Sequence, residues 1–534
     1  MERFPKIGMK KCPTFMAYAV GLSVALLLAL LLGLPYVDMF PSYIHAWAQA
    51  DWYSIAIGFQ QNGYVFFHPE TLIYNKQFPG TWAVDYGDTV TSVDFPVHAY
   101  IAALLMRLSG TSAPWVFRLW TLLCSIVGMC FFYLLCKRLT NSVWKSVLAL
   151  MLCMTAPVYA YYVSNFLPCA PALALSCIGL WAYVRYYQEN DGRLRYWNLG
   201  VGMLALATLI RTSFAVALLA LLGFELLRIL CKDTSLGKKW VMPLAGALAV
   251  MGYYWWNRHL SGLHGTLFLG NLTPPRDMND VHEVFDRINY SWKWQYFTRL
   301  QHWVIALSLI ASVILALVRR IRHGKPAEKR LHRISLLWLA VIWLFGAFCF
   351  FVAMMRQYVD HDYYFLDSLF LPLLLVFVLA LTQLPQWRHP VVLGVLSVGL
   401  FLLGGVMYNE AKHSNMHRCS GEDRASLTAE RFQGSEQWLD SLGVASDAKV
   451  CSFLSYPQNT PFLKMGRKGY ALMFYDDYIV ERMLAFDFDY IIMENEVYVA
   501  NLEEHGDVLS LFRPVATNGK LTLYTLYTEN AEEQ

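Results

Sequence analysis

Hydrophobic positions along this chain form long continuous blocks, with little of the alternation that marks half-buried strands. Eleven such blocks lie at 14–36, 115–136, 143–162, 166–187, 196–210, 213–231, 240–257, 302–318, 334–355, 366–384 and 390–407. Because about 20 apolar residues of helix cross the hydrocarbon core of a bilayer, and some helices are short or tilted, the blocks predict eleven membrane-spanning helices. The predicted fold class is an α-helical polytopic membrane protein.

Segment 95–109 is apolar but short, and Pro96 stands at its start. Counting it as a span would invert every later loop and would place the basic segment 319–333 outside the cell. We therefore expect a helix that lies at the outer membrane interface. A true span, with another block miscounted, stays open as the alternative.

The pattern changes after the last block. Apolar residues then recur with the period of strands at 449–456, 489–495 and 521–527, and with the period of helices at 430–443 and 476–487. The chain thus divides into a membrane domain, 1–410, with a long first outer loop at 37–114, and a small C-terminal α/β domain, 411–534. We expect the α/β domain to pack over the outer loops and to shape an acceptor site.

Composition and the placement of charge predict which side of the membrane each loop faces. Only 15% of the 534 residues are charged, against about 25% in a typical soluble chain. Lys and Arg concentrate in cytoplasmic loops, and the basic segment 319–333 falls inside when the N-terminus, with Lys6, Lys10 and Lys11, is inside. Eleven crossings then place the C-terminal domain outside. The first block is longer than a signal-peptide core and lacks a convincing cleavage site, which predicts a retained anchor.

Cysteine and histidine usage gives no strong signal for a disulfide framework or a metal site. Most of the 11 cysteines fall in apolar blocks, where thiols behave as small apolar residues. Cys419 and Cys451 lie in the outside tail, and a bridge between them is open but unsupported by spacing. No cofactor is implied, and a divalent metal stays open because His45, His68 and His98 form no convincing ligand set. The small net charge of +4 gives no reason to expect a nucleic-acid partner.

Ionisable and aromatic residues gather at the outer face, while the middles of the blocks are nearly free of acids. A transporter should show charges or broken helices near mid-span, so the pattern fits a reaction at the outer surface better. Arg211 joins two apolar runs in a tight outer hairpin. It is either a snorkelling residue that fixes the hairpin or a cation that clamps a phosphate.

The outer segment "MRQYVDHDYYFLDSLF" (355–370) carries a second group of polar residues at headgroup depth. Arg356, His361 and Asp362 are followed by Tyr363 and Tyr364. An aromatic belt explains the tyrosines but not the neighbouring charges.

Two acids of the first outer loop are candidates for chemistry. If 42–60 is an interfacial helix, Asp51 projects from it toward a membrane-facing groove, although a solvated surface charge is an equal alternative. Asp94 precedes the Phe95-Pro96 turn, where it could also cap the next helix.

Four segments in order carry a family resemblance: "HAWAQADWYSIAIGF" (45–59), "DFPVHAYIAALLMRLSG" (94–110, with "FRL" after it), "NFLPCAPALAL" (165–175) and "RQYVDHDYY" (356–364). Together they resemble the GT-C superfamily of membrane glycosyltransferases. The nearest group is the bacterial branch related to protein O-mannosyltransferases and lipid A aminoarabinose transferases. The resemblance covers roughly residues 10–410.

The resemblance implies a sugar donor on a polyprenyl phosphate and an active site at the outer face of a bacterial inner membrane. Asp51 matches the catalytic base and Asp94 the second acid. Donor-phosphate contacts are expected from Arg211, Arg356, His361, Tyr363 and Tyr364, and site-lining contacts from His45, Gln49 and His98. The acceptor hydroxyl would belong to a protein, a lipid or a glycan, and the sugar would be transferred with inversion.

Two positions depart from the family pattern. Relatives have Arg where this chain has Ala48, and an acid where it has Cys169. A lost charge at either position would alter substrate preference or reduce activity. The alternatives are therefore a transporter or flippase of lipid-linked sugars, and an inactive relative that binds a glycan.

Overall fold

The computed structural model describes residues 14–189, 191–323, 334–387, 389–421 and 423–527. Helices of very different lengths make up most of the chain up to residue 418. They are α1 (Thr14–Gly33), α2 (Ala46–Gln61), α3 (Val97–Ser109), α4 (Pro114–Thr140), α5 (Val143–Met154), α6 (Pro157–Tyr162), α7 (Cys169–Gln188), α8 (Leu194–Ile210), α9 (Ala215–Leu230), α10 (Val241–His264), α11 (Met278–Arg287), α12 (Lys293–Tyr296), α13 (Arg299–His323), α14 (Leu337–Ala353), α15 (Tyr363–Phe365), α16 (Leu371–Gln383) and α17 (Pro390–Arg418).

Each of the eleven predicted apolar blocks coincides with helix. Six segments are long and apolar enough to cross a bilayer by length and composition: Phe15–Tyr36, Pro114–Thr140, Thr212–Leu230, Arg299–Arg322, Tyr363–Gln383 and Pro390–Arg418. The block at 143–162 is broken into α5 and α6, because Pro157 cannot donate a backbone hydrogen bond to continue α5. The structure confirms a polytopic helical fold, and the count of eleven crossings stays a prediction.

With the N-terminus inside and eleven crossings, the loops at 137–142 and 188–195 are predicted to be cytoplasmic, and basic residues in and beside them meet at one end of the bundle. Arg138, Arg185 and Arg193 all pair with Glu189, which follows α7. Lys145, at the start of α5, donates to the carbonyl of Leu384 at the same end. We name this the inner end and the opposite one the outer end. Lys6, Lys10, Lys11 and the basic residues of 324–333 lie outside the described residues.

Helix α3 spans 13 residues, about 20 Å, which is shorter than the hydrocarbon core of about 30 Å. The predicted helix at 95–109 is therefore confirmed, with a length that suits an interfacial position. The helix expected at 42–60 is also present as α2. Most of its side chains are buried, and its position at the membrane interface stays a prediction.

The C-terminal domain explains this burial. Its five-stranded sheet has the order β2-β1-β3-β5-β4 and consists of β1 (Lys449–Phe453), β2 (Lys468–Leu472), β3 (Tyr490–Glu494), β4 (Phe512–Thr517) and β5 (Leu521–Leu526). Helices around it are α18 (Arg424–Arg431), α19 (Ser435–Ser441), α20 (Thr460–Met465), α21 (Asp477–Leu484) and α22 (Asn495–Leu509). Strands β1, β2 and β3 run parallel, while β5 is antiparallel to β3 and β4.

The three predicted strands and the helix at 476–487 are confirmed. The helix predicted at 430–443 is interrupted, because Gly434 adopts a left-handed conformation (φ 79°) between α18 and α19. Strands β2 and β4 were not predicted. Cys451 is buried in β1 and Cys419 follows α17, and both are free thiols, so the open possibility of a bridge between them is not realised.

The domain docks directly on the first outer loop. Asn75 exchanges two hydrogen bonds with the backbone of Ala471, at 2.9 Å each, and Ile73 bridges Gly469 in parallel. Leu72 and Ile73 enter the apolar core that β1 and β3 form with α20. The first outer loop is thus an integral part of the C-terminal domain's packing, and α2 lies beneath both.

Candidate active site at the outer end of the helices

Asp51 lies in the second turn of α2 and is only 1% exposed. Its carboxylate accepts hydrogen bonds from two amides of the C-terminal domain, Asn459 Nδ2 at 2.8 Å and Gln458 Nε2 at 3.2 and 3.3 Å. Burial raises the pKa of Asp51 to about 7, although the two amide donors oppose the rise. The sequence suggested that Asp51 faces a membrane groove, but its side chain is buried against the C-terminal domain. It is a carboxyl group whose pKa suits proton transfer near neutral pH.

A second carboxylate, Asp362, is completely buried next to the first turn of α2. It accepts hydrogen bonds from His45 Nε2 at 2.9 Å and from the Tyr162 hydroxyl at 2.7 Å, and it pairs with Arg418. Burial alone would raise the pKa of Asp362, but Arg418, His45 and Tyr162 hold it well below its usual range. Asp362 is thus an anchored anion, and it binds the end of α17 to the start of α2.

Arg211 forms a third interaction at this end. Its Nε donates to Asp367 Oδ2 at 2.8 Å, and Ser213 donates to the same oxygen at 2.8 Å. The guanidinium carbon lies 4.8 Å from the ring centre of Tyr363 and 5.5 Å from that of Tyr364. A cation held this way by a carboxylate and two aromatic faces is favourable despite its burial.

Tyr363 joins these two groups. Its ring centre lies 4.9 Å from that of His45, while its other neighbour is Arg211. His361 stacks on His45 at 5.6 Å, and burial together with the His45 ring lowers the pKa of His361 to about 3. We call the five residues His45, Arg211, Asp362, Asp367 and Arg418 the outer charge cluster.

Asp94 lies half-buried beside this cluster and accepts a hydrogen bond from Thr212 at 2.9 Å. Burial raises the pKa of Asp94, and the neighbouring Arg211 charge opposes the rise. Asp94 also lines a cleft of 190 Å³ between the end of α8 and the end of α10, together with Thr208, Leu209, Thr212, Val250, Met251, Tyr253, Tyr254 and Asn257. The Asp94 carboxylate thus lies at the edge of a cleft that Thr212, the residue after Arg211, also lines.

Three predicted site residues lie apart from the cluster. Gln49 is buried, and its Nε2 donates to the carbonyls of Ser42 and Ile44 and to the Tyr161 hydroxyl. His98 is buried in α3, where Nδ1 accepts from Trp120 at 3.1 Å. Arg356 is partly exposed and donates to the carbonyl of Pro274 at 3.1 Å. Gln49 touches the cluster through its backbone N–H, which donates to the His45 carbonyl at 3.0 Å as part of α2. The predicted roles of these three residues in binding stay predictions.

Sequence reasoning missed four residues of the site. Asp367 carried a usable signal, because an acid inside the apolar block 366–384 is expensive in a membrane and marks a site by default. Arg418 was hidden because α17 continues well past the predicted end at 407. Gln458 and Asn459 gave no signal, since they are ordinary polar residues 400 positions away from Asp51.

The two departures from the family pattern have different surroundings. Cys169, the first residue of α7, is fully buried, and its thiol interacts with Asp367 close to Arg211. A carboxylate therefore lies beside position 169 although the chain has Cys there. Ala48 is half-buried on α2. Among the residues that the structure describes, no group of three or more His, Cys, Asp and Glu side chains could hold a metal ion, and metal dependence stays open.

Comparison with known proteins gives one family match and several fold matches. Residues 93–256 match the family of dolichyl-phosphate-mannose-protein mannosyltransferases. No match is found among curated proteins. The fold resembles ArnT from Cupriavidus metallidurans, solved bound to undecaprenyl phosphate, with TM-score 0.53 and 11% identity over 96% of this chain and 97% of that one.

Two further solved structures share the architecture. One is the Archaeoglobus fulgidus oligosaccharyltransferase tethered to an acceptor peptide, with TM-score 0.50 and 11% identity over 96% of this chain and 74% of that one. The other is the mycobacterial arabinofuranosyltransferase AftD, with TM-score 0.50 and 12% identity over 96% of this chain and 40% of that one. The family match and the architecture over almost the whole chain confirm the resemblance to the GT-C superfamily of membrane glycosyltransferases.

Proposed function

We propose that this protein transfers a sugar from a polyprenyl-phosphate donor to an acceptor hydroxyl at the outer membrane face, with inversion at the anomeric carbon. The observation that carries the proposal is the arrangement around α2. Asp51, a carboxyl group with a pKa near neutrality, lies in the second turn of α2. Six residues of helix rise about 9 Å from His45, just before the helix, to Asp51, and the ring of Tyr363 contacts both His45 and Arg211.

The chemistry follows from these roles. The acceptor oxygen attacks the anomeric carbon and forms the new glycosidic bond, while its proton passes to Asp51. The bond from the anomeric carbon to the phosphate oxygen breaks, and the electron pair leaves with the polyprenyl phosphate. A positioned base contributes about 10²–10⁴-fold in rate.

Arg211 serves the leaving group in this proposal. A phosphate already carries charge, so it needs a cation more than it needs a general acid. The buried Nη2 of Arg211 has no hydrogen-bond partner among the described residues, although Nε is bonded to Asp367. That nitrogen is therefore the donor we assign to a phosphate oxygen.

One neighbouring fold supports this class of donor, and another supports a separate acceptor. ArnT was solved with undecaprenyl phosphate, and an Archaeoglobus fulgidus oligosaccharyltransferase with an acceptor peptide. We extend the donor class to this chain and leave its sugar and its acceptor to experiment. A bacterial inner membrane, with the C-terminal domain outside, is the proposed location.

A second candidate is a glycan-binding relative without activity. It is favoured by one observation, that the Asp51 carboxylate is covered by two amides of the C-terminal domain. A donor assay distinguishes the two candidates. Purified protein in lipid is incubated with a panel of radiolabelled polyprenyl-phosphate sugars and candidate acceptors.

Release of polyprenyl phosphate together with a glycosylated product supports the enzyme, and the anomeric configuration of that product is then measured. A product with retained configuration contradicts the single displacement. Binding of donors without turnover on any acceptor contradicts the enzyme and favours the binding protein.

A further inference from the structure

The cover over Asp51 comes from a segment more than 400 residues away in the chain. Gln458 and Asn459 precede α20 and are both completely buried. They donate to a carboxylate that is itself 1% exposed, and Trp47 of α2 adds a further side-chain hydrogen bond to it. A buried carboxylate without hydrogen bonds would be costly, so the hydrogen bonds from the two amides help to determine whether the Asp51 carboxyl group is ionised in the folded protein.

The orientation of both amides is fixed by their other partners. Trp82 Nε1 can only donate, and it donates to Gln458 Oε1 at 2.7 Å, which turns the NH₂ group of Gln458 toward Asp51. Asn459 Oδ1 accepts from Thr71 Oγ1 at 2.9 Å, which turns its NH₂ group the same way. Both amides therefore present only donors to Asp51, and donors favour the ionised carboxylate.

We propose that Gln458 and Asn459 are positioning residues for Asp51, so that the C-terminal domain completes the catalytic centre. The inference rests on the proposed function, in which Asp51 is the base. The two amides hold the carboxylate in one orientation and favour the form that can accept a proton. A merely structural cover would need neither property.

The hydrogen bonds of Asn459 and Gln458 to Asp51 differ in length and geometry, and we assign a separate role to each. Asn459 makes one short bond, 2.8 Å to Oδ1, whereas Gln458 shares its donor between both oxygens at 3.2 and 3.3 Å. The weaker contact to Oδ2 is the one that an acceptor hydroxyl displaces as it approaches. Asn459 then keeps Oδ1 in place while Oδ2 takes the proton.

Docking of the domain keeps this segment in register. Lys468 pairs with Glu70 at 2.8 Å, and Asn75 bonds twice to the backbone of Ala471. None of these contacts involves Asp51. They hold the domain on the first outer loop, and they supply the control that separates positioning from simple docking.

The test measures transfer by the full-length protein in lipid across pH 5–9, for the native chain, Asn459→Leu and Asn75→Leu. Loss of one charge-assisted donor should move the acidic limb of the kcat profile of Asn459→Leu upward by about one pH unit. Asn75→Leu removes two interface bonds of the same domain and should leave the limb in place. Asn459→Ser, which keeps a hydroxyl donor, should recover part of the shift.

Gln458→Leu tests the second task and keeps the inference falsifiable if Asn459→Leu does not fold. It should raise the KM for the acceptor more than it lowers kcat at high pH. If Asn459→Leu, Gln458→Leu and Asn75→Leu all lower activity alike with an unmoved acidic limb, the amides only dock the domain and the inference is wrong. Asp51→Asn with full turnover would instead overturn the proposed function itself, so the two failures are distinguishable.

Discussion

Two clusters of buried charge lie at opposite ends of α8 and α9, and they differ in how completely their polar atoms are paired. The inner cluster contains Arg228 and Lys239 with Glu225, Asp191 and Asp233. The outer charge cluster contains two arginines, a histidine and two carboxylates. Most charged side chains of both clusters are buried, so in both the free-energy cost of removing charge from water must be offset by partners.

In the inner cluster the charged atoms are paired. Arg228 bonds Glu225 and Asp191 at 2.9 Å and Asp233 at 2.7 Å, and Lys239 bonds Glu225 at 2.8 Å. Tyr183 donates at 2.9 Å to Glu225 Oε2, the oxygen that Arg228 also bonds. A fully satisfied network of this kind fixes the ends of neighbouring helices and offers nothing to a ligand.

In the outer cluster several buried atoms have no hydrogen-bond partner among the described residues. They are Nη2 of Arg211, Oδ1 of Asp367, and Nε and Nη1 of Arg418. Native proteins rarely leave such atoms unpaired, and each one needs an explanation. The two clusters therefore differ in how completely their buried charge is paired, and the unpaired atoms of the outer cluster are the ones that a ligand could bind.

Breaking the inner cluster should have the largest effect on stability. Arg228→Met leaves three carboxylates without their common partner and should lower the free energy of unfolding by about 3–5 kcal/mol. Arg185→Met is the matched control, because its half-exposed pair with Glu189 should contribute at most about 1 kcal/mol. Thermal unfolding in lipid measures both, and equal losses would contradict the contrast.

Breaking the outer cluster should instead affect turnover. Arg211→Met should lower kcat by about 10²–10³-fold, the usual loss when one donor to a developing anion is removed. Arg211→Lys keeps the charge and should retain more activity than Arg211→Met. Unchanged turnover in Arg211→Met would show that the outer arginine, like the inner one, is structural.

Asp51 should make activity and stability depend on pH in opposite directions. As a base it must be ionised, so transfer should rise with pH through about 7. Its folded pKa lies above its unfolded value, so stability is fully present below about pH 4 and is lost as pH rises through about 7. Asp51→Asn should therefore exceed the native chain in thermal stability more at pH 8 than at pH 5, and an equal difference at both would be inconsistent with a raised pKa.

Arg356 should show the smallest effect. Its side chain is partly exposed and bonds to Pro274, so Arg356→Ala should change stability by no more than about 0.5 kcal/mol. Turnover should change little for the same reason. A loss of kcat as large as that of Arg211→Met would instead support the phosphate-binding role that the family resemblance implies for Arg356.

The fold was largely predictable because apolar blocks are long and charges mark their ends. The burial of α2 was not predictable, because its second face is covered by a domain that begins more than 350 residues later. The site was predictable where residues are local in sequence, as in 361–364. It was not predictable for Arg418, Gln458 and Asn459, since tertiary packing alone brings them to His45, Asp362 and Asp51.

The most direct test of the account is turnover of a radiolabelled polyprenyl-phosphate sugar by purified native protein and by Asp51→Asn. The account predicts that the variant binds the donor, unfolds at no lower temperature, and transfers about 10²–10⁴-fold more slowly. Glu225→Gln, from the inner cluster, should be less stable but should keep its turnover at temperatures where it is folded. Native-like transfer by Asp51→Asn would contradict the central claim that the buried outer carboxylate is the base.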